Sequence, residues 1–381
     1  MGQAQVHIPE NMIHLGLGQP GIDLLPLDLI QKASATLTAQ KDASFLAYGA
    51  ARGNPGIRQS LAWFLTGHTP VGVDLSRLMV TNGNSQALDL ICTLFSTPGD
   101  KVLVEAPTYF LALNIFADHG LTPVPLPMDE QGLIPAALEE AIKTNCPAFL
   151  YTIPFFHNPS SVTLSLERQE DLATISADHD LKLVSDEVYE FLYFDAPPPP
   201  SLGRYHDQCP VMALGSFSKI LAPGLRLGWV HANAGILKKL SGAGLLRSGG
   251  GVNPLASAVV DQLIRQGDLA PHIKGLRQTF EQRCNALCRE LKRVLPRTAR
   301  FKTPLGGYFV WIQFPDTVDC RRLRPMAQAR GVDFYPGCFF SPRGQFSSRM
   351  RLSFALYDET TLVQGAGRLG RAIQEVYPGL Y

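Results

Sequence analysis

The sequence predicts an α/β fold: a large domain with a mostly parallel central sheet covered by helices, and a smaller α/β domain. Two observations predict it. Short runs rich in Val and Leu alternate with helix-like stretches through the first part of the chain, which is the pattern of repeated βα units and a sheet buried on both faces. From about Leu255 the alternation stops. A long stretch rich in Arg, Gln and Leu follows, and then two more strand-like runs.

The runs Leu78–Thr81, Lys101–Glu105, Ala148–Thr152, Leu181–Asp186, Val211–Leu214 and Leu227–His231 read as buried strands. Helical patterns occupy Ser85–Ser96, Tyr109–His119, Pro135–Lys143 and Ser165–His179. Pro254–Leu295 reads as a long helix that breaks near Gly267, and Phe309–Phe314 and Met350–Phe354 as strands of the smaller domain. The expected organisation is an N-terminal segment, 1–44, packed on the small domain; a large domain, 45–260; and a small C-terminal domain, 261–381. The run Ala196-Pro197-Pro198-Pro199-Pro200 is expected to be a stiff surface connection, because proline fixes φ and lacks an N–H.

Composition bounds the function. A chain of 381 residues with 45% hydrophobic and 18% charged residues is an ordinary globular protein with room for two domains. A net charge of +1 offers no electrostatic case for nucleic acid or an anionic membrane. Seven scattered cysteines argue against a disulfide framework and for a reducing compartment. Cys284 and Cys288 share a helix face with no matching ligand pair, so core packing is the better reading than a metal site. No apolar run reaches transmembrane length, and no basic-then-apolar leader opens the chain. Met1-Gly2 starts like a myristoylation signal, but Val6 stands where Ser or Thr is required. A cytoplasmic protein is the expectation.

The chemistry centres on Lys219, in Gly215-Ser216-Phe217-Ser218-Lys219, followed by Arg226 in Gly224-Leu225-Arg226-Leu227-Gly228. A lysine between small hydroxyl residues, on a loop leaving an apolar strand, can form a Schiff base with an aldehyde. A nearby arginine can hold a phosphate. Together they describe a seat for pyridoxal phosphate (PLP). The segment Thr81-Asn82-Gly83-Asn84-Ser85-Gln86 passes from strand to helix through a glycine. Helix N-termini offer unpaired N–H groups to phosphate, although Asn and Ser also simply cap helices. Asp186 ends a strand, where its carboxylate can keep a pyridine nitrogen protonated. Tyr189 and Asn158 can reach a phenolic oxygen, or pack and turn the chain respectively. Tyr109 can stack on a ring.

Taken in order, these motifs resemble the class I/II aminotransferases, of the type I fold of PLP enzymes. The resemblance spans about Leu15 to Phe354. It rests on Tyr48-Gly49-Ala50-Ala51-Arg52-Gly53-Asn54-Pro55-Gly56, the Gly83 loop, Asn158-Pro159, Asp186 with Tyr189, Ser216-Phe217-Ser218-Lys219 and Arg226. Gly306-Gly307-Tyr308-Phe309 and Arg351-Leu352-Ser353-Phe354 complete it. It implies that Lys219 forms the internal aldimine and shuttles the proton, and that Asp186 partners the pyridine nitrogen. Asn158 and Tyr189 hold the phenolic oxygen, and Tyr109 stacks on the ring. Asn84, Ser85, Ser216 and Arg226 hold the phosphate, with Gly83 and Ser218 in the same two loops. Arg351 matches the arginine that grips the substrate α-carboxylate in a two-pronged contact. Gly18 falls in a stretch that closes over substrate. Tyr48 is similar to a tyrosine that reaches the neighbouring subunit's phosphate, which implies a homodimer. The implied reaction moves an amino group between an L-amino acid and a 2-oxo acid.

Three positions depart from the family's usual pattern: His157-Asn158-Pro159-Ser160-Ser161, Gly83-Asn84-Ser85-Gln86, and Ser348 three before Arg351. They leave the substrate open, and a lyase, decarboxylase or oxidase of the same fold is the alternative. Gly16-Leu17-Gly18-Gln19-Pro20-Gly21 matches a dinucleotide-binding pattern, but no convincing strand precedes it and Pro20 disturbs the turn. Ser216-Phe217-Ser218-Lys219 matches the Ser-x-x-Lys of penicillin-binding enzymes, without their Lys-Thr-Gly. An effector-sensing domain of a transcription regulator would carry a DNA-binding module ahead of the resemblance, for which the chain leaves no room.

Overall fold

The computed structural model describes residues 7–68, 72–249 and 251–381. Met1, Gly2 and Val6 of the myristoylation reading lie outside them. The strands, in chain order, are β1 (Ile13–His14), β2 (Leu78–Thr81), β3 (Lys101–Ala106), β4 (Thr122–Asp129) and β5 (Gly132–Leu133). Then come β6 (Phe149–Thr152), β7 (Lys182–Asp186), β8 (Val211–Ser216) and β9 (Gly228–Ala232). The last four are β10 (Phe309–Gln313), β11 (Val332–Asp333), β12 (Tyr335–Pro336) and β13 (Arg349–Ser353).

The large sheet has the order β2-β9-β8-β7-β6-β3-β4-β5. Strands β4, β3, β6, β7 and β8 run parallel. β9 is antiparallel to both β2 and β8, so β2 points the same way as the parallel set. Residues just beyond the carboxyl ends of β2, β3, β6, β7 and β8 therefore gather along one edge, where sheets of this kind bind ligands. β2, β6, β8 and β9 are buried along their whole length, as their Val- and Leu-rich composition requires in a sheet covered on both faces.

Strands β1, β4, β5, β11 and β12 were hidden from sequence reading, and β4 is the longest of them. β4 carries Pro123, Pro125 and Pro127, paired with Val102, Val104 and Ala106. Alternate residues of a strand send their N–H groups to the same side, so prolines at every second position silence one side only. β4 tolerates this because β3 lies along one side of it and only the two-residue β5 along the other. The helices Leu27–Ala39 and Pro55–Thr66 were also not anticipated.

Near the C-terminus β10, β13 and β12 form an antiparallel sheet, with Trp311 and Tyr335 flanking Arg351 on either side. The long helix divides into Pro254–Arg265 and Leu269–Val294, and Gly267 at φ +76° makes the break. Cys284 and Cys288 belong to the buried stripe of the second helix. The expectation that no strand precedes Gly16 needs correction. β1 lies just before it and pairs in parallel with β11. No α-helix follows the glycines directly; Ile22–Leu24 is a 3-10 turn, so the dinucleotide turn is not built. Among the described residues no helix is long and apolar enough to cross a membrane.

Candidate active site

The carboxyl edge of the sheet surrounds a cavity of about 580 Å³. Asn84, Ser85, Tyr109, Asn158, Asp186, Tyr189, Ser216, Ser218, Lys219 and Arg226 all line it. Gly83 stands at its wall, and Arg351 lies fully buried behind Asn158. Tyr48 does not line the cavity; it is 91% exposed.

Each side chain is placed by a strand end or a helix start. Helix Gly83–Phe95 begins directly after β2, and the side chain of Asn82 does not cap it. Its first N–H groups are thus left without that partner. Gly83 has φ +78°, and a Cβ there would come within 3.0 Å of Arg226 Nη2. The missing side chain lets the guanidinium approach the helix N-terminus. Arg226 is anchored by donating to the carbonyl oxygens of Pro223 (3.1 Å) and Asn82 (3.4 Å). Ser216 Oγ accepts from the Ser218 N–H at 3.1 Å, which shapes the loop that presents Lys219.

Lys219 Nζ donates to the Gly18 carbonyl oxygen at 2.7 Å. Burial lowers its pKa to about 8; Arg351 adds to the shift and Asp186 opposes it. Asp186 ends β7, buried. Burial pushes its pKa up, while hydrogen bonds from Tyr151 and Asn84 and the charge of Lys219 pull it back. Arg351 donates from Nη1 to Asn158 Oδ1 at 2.6 Å and from Nη2 to the Gly16 carbonyl oxygen at 2.5 Å. Its guanidinium carbon lies 4.0 Å from the Phe309 ring centre and 4.8 Å from that of Phe340. Burial lowers its pKa to about 10. The Arg351 Nε has no partner among the described residues. Tyr189 is buried edge-on to Tyr308 and Phe309.

Asn84 departs from its expected place. Its side chain turns to Asp186, with Nδ2 2.8 Å from Oδ1, and only its backbone belongs to the uncapped helix start. Tyr151 escaped sequence reading altogether. It is fully buried and donates to Asp186 Oδ2 at 2.7 Å. The one available signal was a polar ring inside the apolar run Phe149-Leu150-Tyr151-Thr152. Gln19 also lines the cavity and was not singled out.

These residues fit PLP. An uncapped helix start, two serine hydroxyls and an arginine held close by a side-chain-free glycine suit a phosphate. A buried carboxylate suits a pyridinium, and a lysine with a depressed pKa suits an aldehyde. The cavity is large enough for such a ligand.

Known proteins agree. A family model described as aminotransferase class I and II matches residues 10–369. An aromatic-amino-acid aminotransferase of Thermococcus litoralis is 30% identical over 96% of this chain and 88% of its own. A 2-aminoadipate transaminase of Thermus thermophilus is 32% identical over 94% of this chain and 89% of its own. The structure of a Pyrococcus horikoshii kynurenine aminotransferase, solved with PMP, KYN and KYA, matches with a TM-score of 0.91 at 30% identity. It covers 97% of this chain and 92% of that one. The chain belongs to the class I and II aminotransferases, PLP-dependent enzymes that move amino groups between amino acids and 2-oxo acids.

Proposed function

We propose that the cavity is where this aminotransferase works, with Lys219 as its acid–base group. The observation that carries the proposal is the convergence of Lys219, Asp186 and Asn158 from separate elements on one cavity, with Arg351 held directly behind Asn158. PLP, when bound, supplies an electron sink that acidifies the substrate Cα–H bond. Lys219 Nζ takes that proton, for which its lowered pKa suits it. Asp186 faces the pyridine nitrogen. Asn158 and Tyr189 face the phenolic oxygen, and Tyr109 covers the ring. Gly83, Ser85, Ser216, Ser218 and Arg226 surround the phosphate, and Asn84 offers it only the backbone N–H of the helix start, its side chain being turned to Asp186. Arg351 binds the α-carboxylate, displacing the Gly16 carbonyl that it now holds, and Gly18 closes over the substrate.

The substrate side chain is taken to be bulky and largely apolar. Leu111, Ile115 and Ile153 line the cavity, and one relative is named for aromatic amino acids. The working unit is taken to be a homodimer in which the exposed Tyr48 completes the partner's site. Ile22, Leu27 and Leu46 are also exposed, at 86, 75 and 70%, apolar side chains that a partner subunit would cover. The body 45–260 holds the cofactor, and 261–381 brings Arg351 to it. Segment 1–44 bridges them: β1 pairs with β11, while helix Leu27–Ala39 packs on Pro254–Arg265. A cytoplasmic role in amino acid metabolism is supported by seven free cysteines, six of them buried.

The test is a spectrum of the PLP-loaded protein with single amino acids, with oxo acid measured alongside. Conversion to the pyridoxamine-type band with stoichiometric oxo acid, greatest for aromatic substrates, is the expected result. A persistent band with ammonia or carbon dioxide released would assign the protein to lyase, oxidase or decarboxylase chemistry instead.

A further inference from the structure

Asp186 does not stand alone at the end of β7. Its two oxygens are each gripped by a different element. Tyr151, on β6, donates its hydroxyl to Oδ2 at 2.7 Å, and Asn84, in the first turn of helix Gly83–Phe95, donates Nδ2 to Oδ1 at 2.8 Å. Tyr151 is fully buried, so its hydroxyl has no water to fall back on. Asn84 is tied down further by donating to the Leu214 carbonyl oxygen at 3.3 Å. The contacts span 35 and 102 positions of sequence.

We propose that Tyr151 and Asn84 are positioning residues: a two-sided clamp that keeps Asp186 ionised and aimed so that it can hold a protonated pyridine nitrogen. The inference rests on the reading of Asp186 given above.

The physical case is a balance at one carboxylate. Moving it out of water favours the neutral acid. Each hydrogen bond donated to the anion restores the charged form, and bonds to charged groups are about twice as strong as neutral ones. The directions at Asp186 follow this scheme: burial pushes up, and Tyr151, then Asn84, pull down. A neutral Asp186 would be a poor partner for a pyridinium. A carboxylate free to rotate would leave the nitrogen's direction undefined. The clamp addresses both, since it fixes the plane of the carboxylate from two sides and leaves each oxygen a second lone pair for the cofactor. Tyr151 itself stays protonated, because burial and the Asp186 charge raise its pKa well above its ordinary value. It therefore acts as a donor at every pH at which the protein works.

The test uses full-length protein loaded with PLP labelled with nitrogen-15 in the ring. Wild type, Tyr151→Phe, Asn84→Ala and Asp186→Asn are compared by ring nitrogen chemical shift and by PLP dissociation constant, from titration of each apoprotein. The expected result is a protonated ring nitrogen in wild type, and a shift toward the unprotonated value in Tyr151→Phe and Asn84→Ala. PLP binding should weaken about five- to tenfold in each, the scale of one ordinary hydrogen bond felt through Asp186. Asp186→Asn should lose the protonated signal completely. An unchanged shift in both clamp variants, beside a lost signal in Asp186→Asn, overturns the clamp and leaves the role of Asp186 standing. Weaker binding without a change of shift also overturns it, because a merely structural role would do that. A wild-type signal indifferent to Asp186→Asn overturns both readings. Two variants on separate elements keep the test informative should one fail to fold.

Discussion

Lys219 Nζ donates to the carbonyl oxygen of Gly18 at 2.7 Å, though the two residues are 201 positions apart. Two residues before Gly18, the Gly16 carbonyl accepts from Arg351 at 2.5 Å. One short N-terminal strap thus accepts a hydrogen bond from each of two buried basic side chains through its backbone. Unpaired, such groups are costly in a dry site.

Lys219→Ala should reduce multiple-turnover amino transfer by at least about 100-fold, the usual scale for loss of a positioned acid–base group. Oxo acid release is the measurement. Near-wild-type turnover in the pure variant would remove Lys219 from the chemistry.

The reaction of apoprotein with PLP should speed up with pH around an apparent pKa near 8, because only the free amine attacks an aldehyde. Stability carries the same sign. The folded pKa lies below the ordinary lysine value of 10.5, so the unfolded chain binds more protons between the two. Stability therefore rises with pH across that window. Stopped-flow absorbance from pH 6 to about 10 reads the first effect. A flat profile would mean that another step limits uptake.

Arg351→Lys should raise the amino acid KM by about 10- to 100-fold, because lysine cannot reproduce a planar two-pronged contact. PLP affinity should change less than about twofold. Steady-state kinetics and a PLP titration separate the two effects; equal losses would make Arg351 a structural residue.

Glu187, next to Asp186, accepts from Ser185 Oγ (2.7 Å), Ser201 Oγ (2.5 Å) and the Leu202 N–H (3.0 Å). It ties the end of β7 to the chain after the proline run. Glu187→Ala should cost about 2–4 kcal/mol by leaving buried donors unpaired, and Glu187→Gln less. Burial pushes the Glu187 pKa up. Its folded pKa then exceeds its unfolded one, and stability falls as pH rises from the ordinary carboxylate range toward the raised value. Denaturant melts of wild type and Glu187→Gln across that range should diverge as pH climbs.

Mixing Lys219→Ala with Tyr48→Ala subunits should restore activity to the hybrids if Tyr48 serves the partner's site, because one of the two sites is then intact. Subunits that use their own Tyr48 would give no restoration.

Sequence alone determined a good deal here. The Val- and Leu-rich strands before Gly83, Asp186 and Lys219, and the helix after Gly83, are each local periodic features of 4 to 13 residues. Hydrophobic burial imposes such periods locally, so they can be read before the fold is known. β4 escaped because proline normally forbids a strand, and only its place beside the short β5 admits it. What the tertiary structure decided is who touches whom. Tyr151 and Asn84 on Asp186, Gly18 on Lys219 and Asn158 on Arg351 are contacts across 35 to 201 positions. Each depends on strand register and helix placement to within the roughly 3 Å reach of a hydrogen bond. Composition and spacing contain no such distance, which arises only when the whole core packs in one way.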